Sequence, residues 1–342
     1  MKKKKSCGKH LAVPAVIILA IIVAAAFILF TPMSSKNDTE YVYVDNDDTI
    51  DSLYAKIEPN AKGYSMTAFK MLADNTGFAE HIRTGRYAMD ANTGVLQMFR
   101  RFRNGQQEPV LLTVPSVRTL DRMAEEISKR LMMDEKELYE ALTDEKVCEK
   151  YGLDSLTMQC LFIPNTYEVF WNISVEKFLD RMKKESDSFW EGERDKKAKD
   201  AGLTHTQVVT LASIVDEETA NDGEKPMVAG MYINRYKIDM PLQADPTIKY
   251  ALQDFSIKRI YNDMLKVISP FNTYRNTGLP PGPIRIPSVA GIDAVLNYVH
   301  HDYLYMCAKE DFSGTHNFAV TYAEHLKNAA KYTAALNARN IK

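Results

Sequence analysis

The sequence predicts an α+β protein: a single N-terminal transmembrane helix, then a small α/β module, then a larger mixed α+β domain. Three observations carry this. Residues Leu11 to Phe30 run for twenty positions without a charge. Between Tyr41 and Val114, strand-like runs alternate with short helical segments, the pattern of a small α+β module. From Thr119 onward, apolar residues recur mainly at helical spacing, broken by short extended runs and turns.

The apolar run follows Lys2, Lys3, Lys4, Lys5 and Lys9, and Lys36, Asp38 and Glu40 lie beyond it. As a helix it would reach roughly 30 Å, the thickness of a bilayer's hydrocarbon core. The lysines then place residues 1–10 as a cytoplasmic tail and everything after the helix outside, in a single-pass cytoplasmic (inner) membrane protein. A cleaved signal peptide is the rival reading. Its apolar core would be unusually long, and no small-x-small site follows Phe30 cleanly. Cys7 precedes the apolar run, which excludes a lipoprotein signal. The remaining cysteines, Cys148, Cys160 and Cys307, form no CxxC; Cys148 and Cys160 are either a pair or buried free thiols. A formal net charge of -2 over 342 residues offers no basic field for nucleic acid.

Residues 31–40, with Pro32 and two serines, read as a linker. The module is assigned to 41–156. Tyr41 to Val44 alternates as a strand, and Asp47, Asp48 and Thr49 offer caps for a helix carrying Ile50, Leu53, Tyr54 and Ile57. A second strand surrounds Gly85 to Tyr87, a helix covers Thr93 to Arg103, and Val110 to Val114 is a further strand. Thr119 to Leu131 and Asp134 to Leu142 are amphipathic helices. The second domain is assigned to 157–342. It opens on the apolar Leu161 to Pro164 and continues with a helix over Val175 to Trp190. The charged stretch Glu191 to Asp200 is that helix's solvated tail or a loop.

The chemistry concentrates after His205. The segment His205 to Thr219 reads as a helix that ends in Asp216, Glu217 and Glu218. At helical spacing Glu218 shares a stripe with Val208, Leu211 and Val215, whereas Glu217 follows the more polar Thr210 and Ser213. Glu218 is therefore the acid expected against the core. Desolvation there favours the neutral carboxyl, which is what a proton donor to a leaving group needs. An exposed acidic helix end is the plainer alternative. Polar clusters recur downstream: Leu242 to Thr247, Phe271 to Tyr274, and Gly314 to Phe318 with Tyr322 and His325. Amides, hydroxyls and aromatic faces of this kind suit a sugar. The loop Gly278 to Ile284, with Pro280 and Pro281, reads as a rigid platform for a polymer or as a turn that simply packs. No HExxH, GxSxG or GxxxxGK occurs, so neither a metal nor another cofactor is expected.

The run Ala212 to Thr219 resembles the signature helix of the endolytic murein transglycosylases, the YceG-like family. So do Met231 to Arg235, Leu242 to Tyr250, Asn272 to Tyr274 leading to Gly278 to Ile284, Tyr303 to Tyr305, and Gly314 to Phe318. Leu161 to Tyr167 resembles the family's opening motif. The resemblance implies that 157–342 is a catalytic domain and that 41–156 is LysM-like. It implies cleavage of peptidoglycan glycan strands at the MurNAc-β-1,4-GlcNAc bond, leaving 1,6-anhydro ends. The catalytic glutamate falls on Glu218. Gln243, Asp245, Thr247, Asn272, Tyr274, His316 and Tyr167 are the candidates for holding sugar. Asp216 stands where the family usually has glutamate, and Phe271 where it usually has tyrosine. Peptidoglycan synthases are the partners the resemblance suggests. A water-using muramidase with Asp245 as second carboxylate, and a wall-binding scaffold without activity, are the competing readings.

Overall fold

The computed structural model describes residues 9–339, with side chains from residue 14 onward. Lys2 to Lys5 and Cys7 lie outside the described residues. The chain forms two compact units, one of residues 1–111 with 168–173, the other of 112–167 with 174–342. The sequence reading divides the chain at 156/157. The structure instead groups the helices between 120 and 150 with the second unit.

The first unit begins with α1 (Lys9–Phe30). The expected transmembrane helix is corrected here: among the described residues, no helix is long and apolar enough to cross a membrane. The C-terminal turns of α1 meet protein on one face only, and Phe27 and Phe30 stay exposed. Ala25, Ile28 and Leu29 share an apolar cavity with Ala68, Met71 and Leu72 of α3 (Gly63–Asn75). Of residues 31–40, Met33 and Ser34 are buried and the Met33 N–H donates to the Thr93 carbonyl at 2.8 Å, while residues 35–39 are exposed.

Strand β1 (Glu40–Val44) pairs antiparallel with β2 (Gly85–Met89), placing Val42 opposite Tyr87. Between them lie α3 and, before it, α2 (Ile50–Ile57), capped by Thr49, whose side chain accepts from the Ser52 N–H. Helix α4 (Val95–Asn104) closes the unit and ends at Gly105, whose φ of 66° favours a residue without Cβ. Its core is aromatic. Phe69 meets Phe78, Phe99 and Phe102 edge-on, with Phe102 at 5.9 Å between ring centroids.

The short strands β3 (Val110–Thr113) and β4 (Thr166–Val169) form a second two-stranded sheet. The second unit is mainly helical. Helices α5 (Leu120–Ser128), α6 (Glu135–Thr143) and α7 (Glu145–Lys150) precede α8 (Val175–Trp190). Cys148 and Cys160 are buried free thiols. The charged stretch after Trp190 forms a helix of its own, α9 (Glu193–Ala201), because Gly192 turns the chain at φ 74°. At its centre runs α10 (His205–Glu218), flanked by α11 (Lys225–Lys237), α12 (Asp245–Leu252) and α13 (Val289–Leu296). Strands β5 (Tyr305–Ala308) and β6 (His316–Ala319) pair antiparallel, with Ala308 opposite His316, and α14 (Tyr322–Ala338) packs on both.

Helix α10 starts on a capping box. The Thr204 hydroxyl accepts from the Gln207 N–H, and the Gln207 side chain accepts from the Thr204 N–H at 2.9 Å. From Val208 to Val215 every residue is buried, so the helix is enclosed on all sides and its C-terminus is fixed by packing. Ser213 is satisfied inside this core, donating to the Thr210 carbonyl and accepting from the Ile284 N–H.

Candidate active site

The three acids that close α10 find different partners. Asp216 meets the Lys225 ammonium at 2.8 Å, and the two side chains are only 4% and 7% exposed. It also accepts from the N–H and hydroxyl of Ser288, the cap residue of α13. Glu217 is held by both arms of Arg118, at 2.8 and 2.9 Å, and by Arg285 at 2.9 Å. Glu218 has no cationic partner among the described residues. Its one hydrogen bond comes from the Tyr232 hydroxyl, at 2.6 Å. Sequence spacing expects Glu218 alone against the core. In the structure the side chains of Asp216 and Glu217 are also nearly enclosed, and the partners set the three apart.

Burial pushes the Glu218 carboxyl up to about 7 from an ordinary value of 4.5. The Tyr232 hydrogen bond opposes this, the negative charge of Asp245 reinforces it, and His316 and Lys249 pull the other way. The Tyr232 phenol, itself buried beside a carboxyl, is driven well above its usual range. It therefore stays protonated and keeps donating to Glu218.

Glu218 opens on a groove of about 340 Å³. Tyr232 and Arg235 of α11 line one side, Gln243, Asp245 and Tyr274 another, and residues of β5 and α14 close it. Arg235 organises the walls: its guanidinium donates to the Leu304 carbonyl at 2.5 Å and the Leu242 carbonyl at 2.6 Å. Desolvation lowers its pKa without making it neutral. Gln243 turns at φ 50° and donates its N–H to the Thr273 carbonyl, so that Gln243 and Asp245 point outward as exposed side chains. The Tyr274 hydroxyl donates to the Asp245 carboxylate. His316 sits at the start of β6, its ring Nδ1 2.9 Å from Glu224.

The structure thus brings Glu218, Gln243, Asp245, Tyr274 and His316 to one groove. Three other expected residues lie outside its lining. Thr247 is fully buried and bonds the Ala244 carbonyl and the Thr273 hydroxyl. Asn272 is fully buried too; its amide donates to the Leu265 and Val267 carbonyls and its oxygen accepts from the Tyr274 N–H. These two clamp the loops that present Gln243 and Tyr274. Tyr167 is buried and donates to the Ile163 carbonyl at 2.7 Å. The Gly278 to Ile284 loop packs as well: Gly282 lies so close to the Leu156 carbonyl that a Cβ would stand 2.0 Å from its oxygen.

Sequence reasoning assigns no role of their own to Tyr232, Arg235 or Glu224; His325, which it places in a sugar-suited cluster, lines the groove. For the first two a signal existed: they lie three residues apart on one helix and so share a face. Among the described residues no group of three or more His, Cys, Asp or Glu side chains is placed to hold a metal ion.

The arrangement is a polar groove built around one desolvated carboxyl of raised pKa, in a mainly helical unit. The chain belongs to the YceG-like family, whose profile matches residues 42–331. An endolytic murein transglycosylase of Bacillus subtilis (strain 168) is 36% identical over 164 residues, covering 48% of this chain and 44% of that protein. Another, from Streptococcus pneumoniae serotype 2 (strain D39), is 28% identical over 282 residues, covering 73% of this chain and 51% of that protein. This chain therefore spans about half the length of the curated relatives it matches. The crystal structure of a yceG-like protein from Listeria monocytogenes superposes with a TM-score of 0.55 at 24% identity, over 85% of this chain and 99% of that one. That likeness is one of fold.

Proposed function

We propose that this protein is an endolytic peptidoglycan lytic transglycosylase with Glu218 as its single acid/base. The observation that carries the reading is a desolvated carboxyl, without a cationic partner among the described residues, raised to about 7 and facing an open polar groove. Near neutral pH such a group is divided between acid and base, as a residue that must both give and take a proton requires. The names of the relatives support the same chemistry.

Glu218 protonates the glycosidic oxygen after a MurNAc unit. Its carboxylate then accepts the proton of that sugar's C6 hydroxyl, whose oxygen attacks the anomeric carbon and closes the 1,6-anhydro ring. No water is consumed, so one carboxylate suffices where ordinary glycosidases use two. Gln243, Asp245, Tyr274 and His316 hold the strand and steady charge in the transition state. The substrate places the groove outside the cytoplasm. Association with peptidoglycan synthases belongs to the same reading and is carried by the family resemblance alone.

The test is mass spectrometry of sacculi digested by wild type and by Glu218→Gln. Anhydro-ended fragments from the wild type, with activity reduced at least about a hundredfold in the variant, are expected. Reducing ends that carry an added water would assign the protein as a muramidase, with Asp245 as its base. Binding to strands without released fragments would make it a wall-binding scaffold.

A further inference from the structure

Glu224 has no part in the acid/base step described above, yet it is a buried acid. It stands at the N-terminus of α11, where a carboxylate ordinarily bonds the free amides of its own helix. Here its side chain makes no such cap. It reaches instead to His316, 92 residues on. One oxygen accepts the His316 N–H at 2.6 Å and the other lies 2.9 Å from the ring Nδ1. The backbone contact fixes where β6 begins, and the ring contact fixes how the imidazole turns. With Nδ1 taken, Nε2 is the ring nitrogen left for the groove that His316 lines. The other charged and titratable side chains lining that groove are Glu218, Tyr232, Arg235, Asp245, Tyr274, Cys307 and His325. His316 is one of the groups that favour the ionised form of Glu218.

We propose that Glu224 is a positioning residue: it holds His316 as an imidazolium, oriented so that its charge stabilises the Glu218 carboxylate during turnover. The inference rests on the reading of Glu218 as the acid/base. When Glu218 gives its proton to the glycosidic oxygen, a negative charge appears in a desolvated site. The fixed imidazolium offsets that charge until the C6 hydroxyl returns a proton. His316 keeps both of its own protons throughout, held on Nδ1 by Glu224 and directed from Nε2 into the groove. An oriented carboxylate behind a histidine sets the ring's proton and its angle without touching substrate.

The experiment is a double-mutant cycle on glycan strands, with Glu224→Gln, His316→Ala and both together. Glutamine keeps the size of the side chain and removes its charge. The expected result is a kcat reduced at least about tenfold in Glu224→Gln with KM within about threefold, and less than about a twofold effect of the same change in the His316→Ala background. Imidazole ¹⁵N shifts of histidine-labelled protein should show His316 doubly protonated at the assay pH in the wild type and neutral in Glu224→Gln. The proposal is overturned if a folded Glu224→Gln retains its kcat, if the change costs the same factor in both backgrounds, or if wild-type His316 is neutral. Loss of a cooperative melt in Glu224→Gln would overturn it too, by making the contact a pin between β6 and α11. A wild type that cleaves no glycan sinks the reading of Glu218, and the imidazole shifts still decide whether Glu224 sets the state of His316.

Discussion

Asp216, Glu217 and Glu218 follow one another at the end of one helix, and among the described residues only the last has no cation paired with it. Its raised pKa is a statement about stability. Between about 4.5 and 7 the unfolded chain has lost the proton that the native state retains. Native stability therefore falls as pH rises through that window, and levels off above it. Glu218→Gln carries no such proton. We expect it to match the wild type near pH 4 and to exceed it by about 1–3 kcal/mol at pH 8, as read by urea denaturation at the two pH values. Tyr232→Phe removes the hydrogen bond that holds the carboxyl down. The alkaline limb of the pH–rate profile should then move to higher pH; a shift to lower pH would mean that the phenol acts otherwise. Glu218 was legible as special from its apolar neighbours at helical spacing. That Asp216 and Glu217 are nearly enclosed as well, each held by cations, was not, because that depends on Lys225, Arg118 and Arg285, which arrive from other segments.

At the scale of elements, α10 is a buried axis whose end is tied to α13. Asp216 accepts from the Ser288 N–H and hydroxyl, while that hydroxyl in turn accepts from the Gly291 N–H. A Cβ on Gly291 would stand 2.4 Å from an Asp216 carboxylate oxygen that Lys225 and Ser288 hold in place. Gly291→Ala is therefore expected to destabilise the fold by about 1–3 kcal/mol. Asp216→Ala, which leaves the buried Lys225 ammonium only the exposed Asp222 carboxylate at 2.7 Å and frees the Ser288 N–H, should cost about 1–3 kcal/mol by equilibrium denaturation. Pattern reasoning located α8, α10 and the β1/β2 strands from periodicity alone. It left Glu191 to Asp200 as a helix tail or a loop, because a run of charges carries no apolar stripe. The separate helix α9 is set by the turn at Gly192.

At the scale of the whole molecule, the chain leaves its first unit at Leu111 and returns to it for Glu168 to Ile173. That short return completes the first unit. The Trp171 ring meets Tyr43 edge-on at 5.0 Å, and the Asn172 amide donates to the Thr84 carbonyl at 2.9 Å. Trp171→Ala should lower the stability of this unit by about 1–2 kcal/mol, measured by urea denaturation followed in the far ultraviolet. A boundary near residue 157, chosen from local composition, places residues 168–173 wholly within the second domain. No local signal announces a segment that packs against residues more than 80 positions earlier.

Local chemistry in the chain was enough to indicate the main helical and extended runs, a cap among Asp47, Asp48 and Thr49, the family motifs, and the glutamate expected against the core. These follow from near neighbours, through periodicity and hydrogen bonds within a few residues. The cations that hold Asp216 and Glu217, the burial of Thr247 and Asn272 behind the groove, and the pairing of Glu224 with His316 were settled only by folding. Each depends on groups far apart in sequence, and whether a side chain is desolvated or partnered is a property of the surroundings that the fold assembles around it.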